Sequence, residues 1–149
     1  MNTLADKRRL AQAQRITDVK RRRAERERVE AKRIEREAQE RAEAAHAQRG
    51  EAQEQRAQAR SAFFKHNGDP QAEVWLIASE MREKHAISEV CIAQDKSATA
   101  ITQATAARRE HERLHERAAL MDTRMIAITR DIANRVQNRE DEDMQERSR

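Results

Sequence analysis

The sequence predicts an all-α protein, a long antiparallel two-helix coiled-coil hairpin, on three observations. Ala, Glu, Lys, Leu and Arg supply 82 of 149 residues, a composition typical of long helices and coiled coils. Leu, Ile, Val and Phe together number only 21, too few to fill a globular core. Residues that break helices are three, Gly50, Gly68 and Pro70, and two of them fall together near the middle of the chain. This argues against a compact α/β enzyme, a β-sandwich or a barrel. Disorder would need a high net charge on so polar a chain. Here 31 basic and 27 acidic side chains leave only +4, and the balance favours helix.

The first helix is expected from about Leu4 to Lys65, with Thr3 and Asp6 spaced as a capping box. Its apolar repeat is alanine: Ala31, Ala38, Ala45, Ala52 and Ala59 recur every seven residues, with Ile34 and Ala62 at partner positions. Gly50 interrupts it at a cost of about 1 kcal/mol against Ala; a tolerated surface glycine is preferred to a bend. The turn is His66 to Pro70. Asn67 and Gly68 suit a left-handed helix ending, Asp69 suits the N-cap of the next helix, and Pro70 its first position. Glu73 then falls in the positive first turn.

The second helix is expected from about Pro70 to Asn138, followed by an acidic, solvated tail over 139–149. Leu114, Ala118, Met121, Met125, Ile128 and Ile132 follow the four-three spacing of a coiled-coil seam. If the chain doubles back near residue 68, facing residues have numbers summing to about 137. That pairs Leu10 with Ile128, Ala13 with Met125, Ile16 with Met121 and Val19 with Ala118. Residues 20–37 and 105–113 are mostly charged or small, so the pairing there is thin. The run Val74 to Ile77 is out of step with Ile87, Val90 and Ile101, which predicts a stutter. Cys91 is read as a small seam residue, and as a lone cysteine it forms no internal disulfide. No stretch approaches a membrane span and no secretory signal is visible, so a soluble, intracellular, single-domain protein is expected.

Little in this chain suggests catalysis, and no catalytic, cofactor-binding or metal-binding residue is assigned. His111-Glu112-Arg113-Leu114-His115 matches the zinc-protease pattern literally. Such a site needs a third ligand from another element and an open position for water. An uninterrupted helix offers neither, and the four-three spacing places His111 in the seam. Two regions instead look like surfaces for partners. Residues 1–36 carry 13 basic and 6 acidic side chains, densest at Lys20, Arg21, Arg22 and Arg23. A solvated helix face, a dock for an acidic protein and a phosphate-binding arm are all consistent with that run. Without aromatic residues for stacking, nucleic acid ranks third. The hairpin tip gathers Phe63, Phe64, Val74, Trp75, Leu76 and Ile77. A two-helix seam cannot bury four consecutive apolar residues, so part of this cluster is self-packed or open to a partner.

In size, mid-chain turn, Arg/Glu/Gln/Ala-dominated arms, lack of a globular core and the acidic ending Asn138-Arg139-Glu140-Asp141-Glu142-Asp143-Met144-Gln145, the sequence resembles the YscO/FliJ family of type III secretion stalk proteins. The resemblance covers the whole chain and is architectural, because the family has no short diagnostic motif. It implies a non-enzymatic, cytoplasmic coiled-coil stalk without cofactor or small-molecule substrate. Such a stalk docks on the hexameric export ATPase at the base of the secretion apparatus and reaches towards the membrane through the export gate and secretion chaperones. Within that resemblance, Lys20, Arg21, Arg22 and Arg23 are expected to meet the ATPase. The tip residues Phe63, Phe64, Val74, Trp75, Leu76 and Ile77 are expected to meet the gate or chaperones. The alternative is a basic coiled coil with a structural or nucleic-acid-binding role. The alanine-rich first helix is a departure that weakens the expected mid-rod seam.

Overall fold

The computed structural model describes residues 4–147, and two helices account for nearly all of them: α1 (Leu4–Lys65) and α2 (Pro70–Arg147). They pack against each other as the expected all-α helical hairpin. Among the described residues there is no strand and no helix long and apolar enough to cross a membrane. The turn forms as its residues dictate. The His66 N–H donates to Ala62 O at 2.9 Å and the Asp69 N–H to His66 O at 3.0 Å, closing α1. Gly68 alone takes the left-handed conformation, at φ 91°, so Asn67 is not needed for it. Asp69 Oδ1 accepts the Gln71 N–H at 2.9 Å, which makes Asp69 the N-cap and leaves Pro70 first in the helix, where its missing N–H costs nothing. The expected cap at Thr3 lies outside the described residues.

α2 does not stop at Asn138: it continues through the acidic segment to Arg147. No Gly or Pro follows Pro70, and the Arg, Glu and Gln residues there propagate a helix well. The side chains over 139–145 are exposed, as expected of that segment.

Contacts group the chain into two units, Val29–Ala106 and Met1–Arg28 with Ala107–Arg149. In the Val29–Ala106 unit the seam is built from small residues. Ala45, Ala52 and Ala59 of α1 are buried, and so are Ala72, Ser79, Ala86, Val90 and Ala100 of α2. Ala59 and Ser79 are fully buried, at 0% exposure. The α1 alanines keep their seven-residue column. In α2, buried or half-buried positions run Ala72, Leu76, Ser79, Glu83, Ala86, Val90, Ala93, Ser97, Ala100 and Ala104 in strict four-three order. There is no stutter. The seam stays in step by using alanine and serine, and it leaves Ile77, Ile87 and Ile101 exposed. Ile34 and Cys91 are exposed too, so neither belongs to the seam. Alanine wins these positions because small side chains allow two helices to approach closely, although each alanine removes far less apolar area from water than a leucine. Ser79 completes the pattern by turning its hydroxyl back to Leu76 O at 2.8 Å. Gly50 is exposed inside an unbroken helix, with nothing within 4 Å of where a Cβ would stand. It is a tolerated surface glycine.

In the other unit most of the large seam residues come from α2, where Leu114 and Ala118 are buried and Met121, Met125, Ile128 and Ile132 are half-buried, as the spacing requires, and α1 adds the half-buried Leu10. α1 answers with Thr17 and Ala24, at 4% exposure each. Leu10 and Ile128 line one groove, with Met121 beside them, and Ala24 shares another with Leu114. The expected roles of Ile16 and Val19 are overturned: they are 52% and 68% exposed. The hairpin register is right, but α1 is rotated by about one residue, so Thr17 replaces Ile16 opposite Met121. Its hydroxyl lies 3.4 Å from the Met121 sulfur. That rotation keeps Thr17 and Ala24 in phase with one seven-residue column, which the larger Ile16 and Val19 cannot join.

Polar links fix the register on both units. Gln14 Nε2 donates to Asp122 Oδ1 at 2.7 Å. Arg56 reaches Glu83 at 2.6 Å and Glu80 at 3.8 Å, Arg82 donates to Gln55 at 3.0 Å, and His46 pairs with Gln94 at 3.1 Å. Residue numbers in these pairs sum to between 136 and 140, close to the expected 137. Arg49 lies on the same seam line, and its buried Nε has no hydrogen-bond partner; an unsatisfied buried donor costs about 1–3 kcal/mol.

This packing predicts opposite outcomes for two apolar changes. Ala59→Leu, at a fully buried seam position, destabilises by about 1–3 kcal/mol through overpacking. Ile16→Ala, on an exposed face, changes stability by less than about 0.5 kcal/mol. Urea unfolding followed by circular dichroism on dilute protein checks both; a larger loss from Ile16→Ala contradicts the observed phase of α1.

Candidate functional site

The seam leaves two groups of side chains with functional character, one in each unit. At the tip of the Val29–Ala106 unit, α1 delivers Phe63 and Phe64 just before the turn, and α2 delivers Val74 to Ile77 just after it. Only Phe63 and Leu76 are half-buried. Phe64 is 68% exposed, Val74 66%, Ile77 51% and Trp75 39%. The two rings meet edge-on with centroids 5.8 Å apart, and the Arg60 guanidinium lies 5.9 Å from the centroid of Phe64. The alternatives left by the sequence are thereby divided. Phe63 and Leu76 pack inward, while Phe64, Val74, Trp75 and Ile77 remain outside as an apolar cluster in water. Clusters of this kind around a tryptophan are typical of surfaces that take a partner.

In the other unit, the four residues of the basic run point to different sides of α1. Arg21 is half-buried on the seam side and lies 3.5 Å from Asp18. Arg23 is exposed and donates to Glu27 at 2.8 Å. Lys20 and Arg22 are exposed and make no ion pair with a described side chain. Consecutive helical residues are 100° apart, so the run does not form a single patch. Lys20 and Arg23 instead edge a groove with Arg113 and Arg117, where Glu27 and Glu110 supply the opposite charge.

The His-Glu-x-x-His segment is occupied by a structural role. His111 is half-buried in the seam, as its spacing implied, and its Nε2 stands 2.8 Å from Glu25 Oε2. Arg28 holds the same carboxylate through two donors, Nη2 at 2.7 Å and Nε at 2.9 Å. His111 and His115 lie with ring centroids 6.3 Å apart. Among the described residues no group of three or more His, Cys, Asp or Glu side chains converges on a point. The pairing of Glu25 with His111 across the helices is, like the other cross-helix polar links, one that sequence reasoning missed. Its signal was present, because 25 and 111 sum to 136, but the motif drew attention to the wrong partner, His115.

Glu25 is held below its ordinary carboxylate pKa chiefly by the hydrogen bonds from Arg28; desolvation opposes this, and the charge of Arg28 and then that of His111 add further lowering. No protein-family model matches this chain, and neither a curated protein nor a solved structure matches it significantly.

Because the Glu25 carboxylate is depressed on folding, its contribution is present above the unfolded carboxylate pKa and is lost as pH falls through the lower folded value. The difference in melting temperature between the wild type and Glu25→Gln is therefore expected to be largest near neutrality and to shrink towards zero in strong acid. Thermal melts over that range measure it; a gap that widens as pH falls through the carboxylate range contradicts the assignment.

Proposed function

We propose that this chain is a coiled-coil stalk of a type III secretion apparatus. In this reading it is a cytoplasmic, non-enzymatic protein at the base of the apparatus. It docks on the hexameric export ATPase and connects it with the export gate and secretion chaperones. The observation that carries the reading is the combination of a helical hairpin held by a seam of alanines and serine with an apolar tip left in water. A thin seam leaves the outward sides of both helices mostly charged. Such sides suit a protein that must sit inside a ring without sticking to it, since apolar flanks would lock it in place. Four of the exposed apolar residues, Phe64, Val74, Trp75 and Ile77, gather at the tip, where they would meet the gate or a chaperone, while others such as Ile34, Ile87 and Ile101 lie elsewhere along the helices. Lys20 and Arg22 are the exposed cations of the basic run and would meet acidic side chains of the ATPase; Arg21 and Arg23 would contribute less, being already paired.

The experiment is an ATP hydrolysis assay with a purified secretion export ATPase. The chain is expected to raise the rate when present at one copy per hexamer. The double variant Lys20→Glu/Arg22→Glu, at exposed positions that leave the seam intact, is expected to reduce that stimulation several-fold while keeping its helical circular dichroism. Unchanged stimulation removes the basic run from the interface, and no stimulation by the wild type rejects the stalk.

A further inference from the structure

A further exposed surface, sharing Arg22 with the basic run, lies on α1 directly opposite its seam. Arg15, Ile16, Val19, Arg22 and Arg26 fall within about 120° of the helix circumference at 100° per residue. Ile16 and Val19 are 52% and 68% exposed. Arg15, Arg22 and Arg26 are exposed as well, and none of the three forms an ion pair with a described side chain. Arg22 and Arg26 are like charges four residues apart, an arrangement that destabilises a helix unless something opposite in sign lies over it. The face is thus an aliphatic pair framed by unneutralised arginines. It fits an acidic helix carrying an apolar side chain of its own. Phosphate alone would use the arginines and leave Ile16 and Val19 in water.

The same unit contains a helix of that description. Towards the end of α2, Val136, Glu140 and Asp143 share one face, Val136 is 52% exposed, and every side chain over 133–145 is exposed. Glu140, Asp141, Glu142 and Asp143 form no ion pair with a described side chain. They are as self-repelling as the arginines. The two surfaces cannot meet within one molecule. By the observed register, α1 residues 15–26 stand opposite α2 residues 112–123, about 20 residues or roughly 30 Å of helix from Glu140, and α2 continues without turning back.

We propose that the Arg15–Ile16–Val19–Arg22–Arg26 face of one chain binds the acidic end of α2 from a second copy. The contact is made twice about a two-fold axis, each copy giving its acidic helix and receiving its partner's. Opposite charge sets the orientation and register, and Val136 against Ile16 and Val19 supplies apolar burial. The dimer and the stalk reading share Arg22, so an ATPase contact there would require the dimer to open, but the dimer is tested separately: it is read by mass in solution, without any ATPase.

Sedimentation equilibrium of the full chain tests it by charge exchange. The wild type at low salt is expected to show about twice its 17.3 kDa, and to fall to the monomer mass near 1 M salt, where screening acts over about 3 Å. Glu140→Lys/Asp143→Lys alone is expected to be monomeric, because its tail now repels the arginines. Arg22→Glu/Arg26→Glu alone is expected to be monomeric for the mirror reason. Mixed in equal amounts, the two variants regain both attractive contacts and are expected to form a heterodimer at the wild-type concentration. Helical circular dichroism of each variant separates loss of contact from loss of fold. A monomeric wild type at low salt overturns the proposal, as do dimers that persist in both variants or a mixture that stays monomeric. A wild type that remains monomeric yet binds duplex DNA would give the arginines to phosphate instead, and overturns it equally.

Discussion

The structure depends on how two helices pack when, over Val29–Ala106, their shared seam is made mostly of alanine and serine. Alanine at every seventh position of α1, met by alanine or serine in α2, permits close approach but removes little apolar surface from water per heptad. Stability must therefore come from the length of the pairing and from polar links at its edges, such as Arg56 with Glu80 and Glu83. The larger aliphatic residues are correspondingly released from structural duty. Ile16, Val19, Ile34, Ile77, Ile87 and Ile101 all lie at least 38% exposed. In a chain with so few branched or aromatic side chains, that is a large share left on the surface.

Charge follows the same economy. Most ion pairs are local, at three- or four-residue spacing on one helix, as in Arg33 with Glu30 and Glu37. Exposed pairs of this kind add little to stability, but they neutralise the helix surface and keep it from attracting partners indiscriminately. Glu30 is held below the ordinary carboxylate pKa by Arg33, through a direct hydrogen bond first and its charge second. Against this neutralised background, the cations without local partners stand out. Arg15, Arg22 and Arg26 are distinguished from their neighbours because the acids within a helical turn of them, Asp18, Glu25 and Glu30, are already engaged by Arg21, Arg28 and Arg33. The same reasoning separates Glu25, which serves the hairpin by joining Arg28 and His111, from the acids near the end of α2.

Much of the architecture was legible from the amino-acid sequence, and the failures have a common cause. The turn was readable because Gly68, Asp69 and Pro70 each have a backbone reason to be there. The register was readable because it follows from the position of the turn alone, and every cross-helix polar pair agrees with it to within a few residues. What misled was the assumption that the largest apolar residues define the seam. Ile16 and Val19 outweigh Thr17 and Ala24 in hydrophobicity, yet only the latter lie in phase with one seven-residue column. The apparent stutter at Val74–Ile77 and the placement of Cys91 fail for the same reason: alanine and serine carry the repeat, and size is a poor guide to it. The extension of α2 beyond Asn138 was missed because a run of acids was read as a solvated tail, although such residues are compatible with an exposed helix. Of the candidate surfaces, the tip residues do come together, with Phe63 and Leu76 turned inward and the others exposed, whereas the basic run proved to be four residues facing different ways.

Seam, tip and exposed faces alike require α1 and α2 of one molecule to lie side by side in this register. Electron–electron distance measurement between spin labels tests it most directly, with Cys91→Ser as background and labels at Gln14 and Asp122 in one molecule and at His46 and Gln94 in another. Each labelled protein should be diluted with unlabelled chain so that only intramolecular pairs report. Packed helices, with axes about 8–10 Å apart, predict short separations in both, on the order of 10–20 Å once label linkers are included. Separations of many tens of ångströms, or short ones that vanish on dilution with unlabelled chain, would contradict the hairpin.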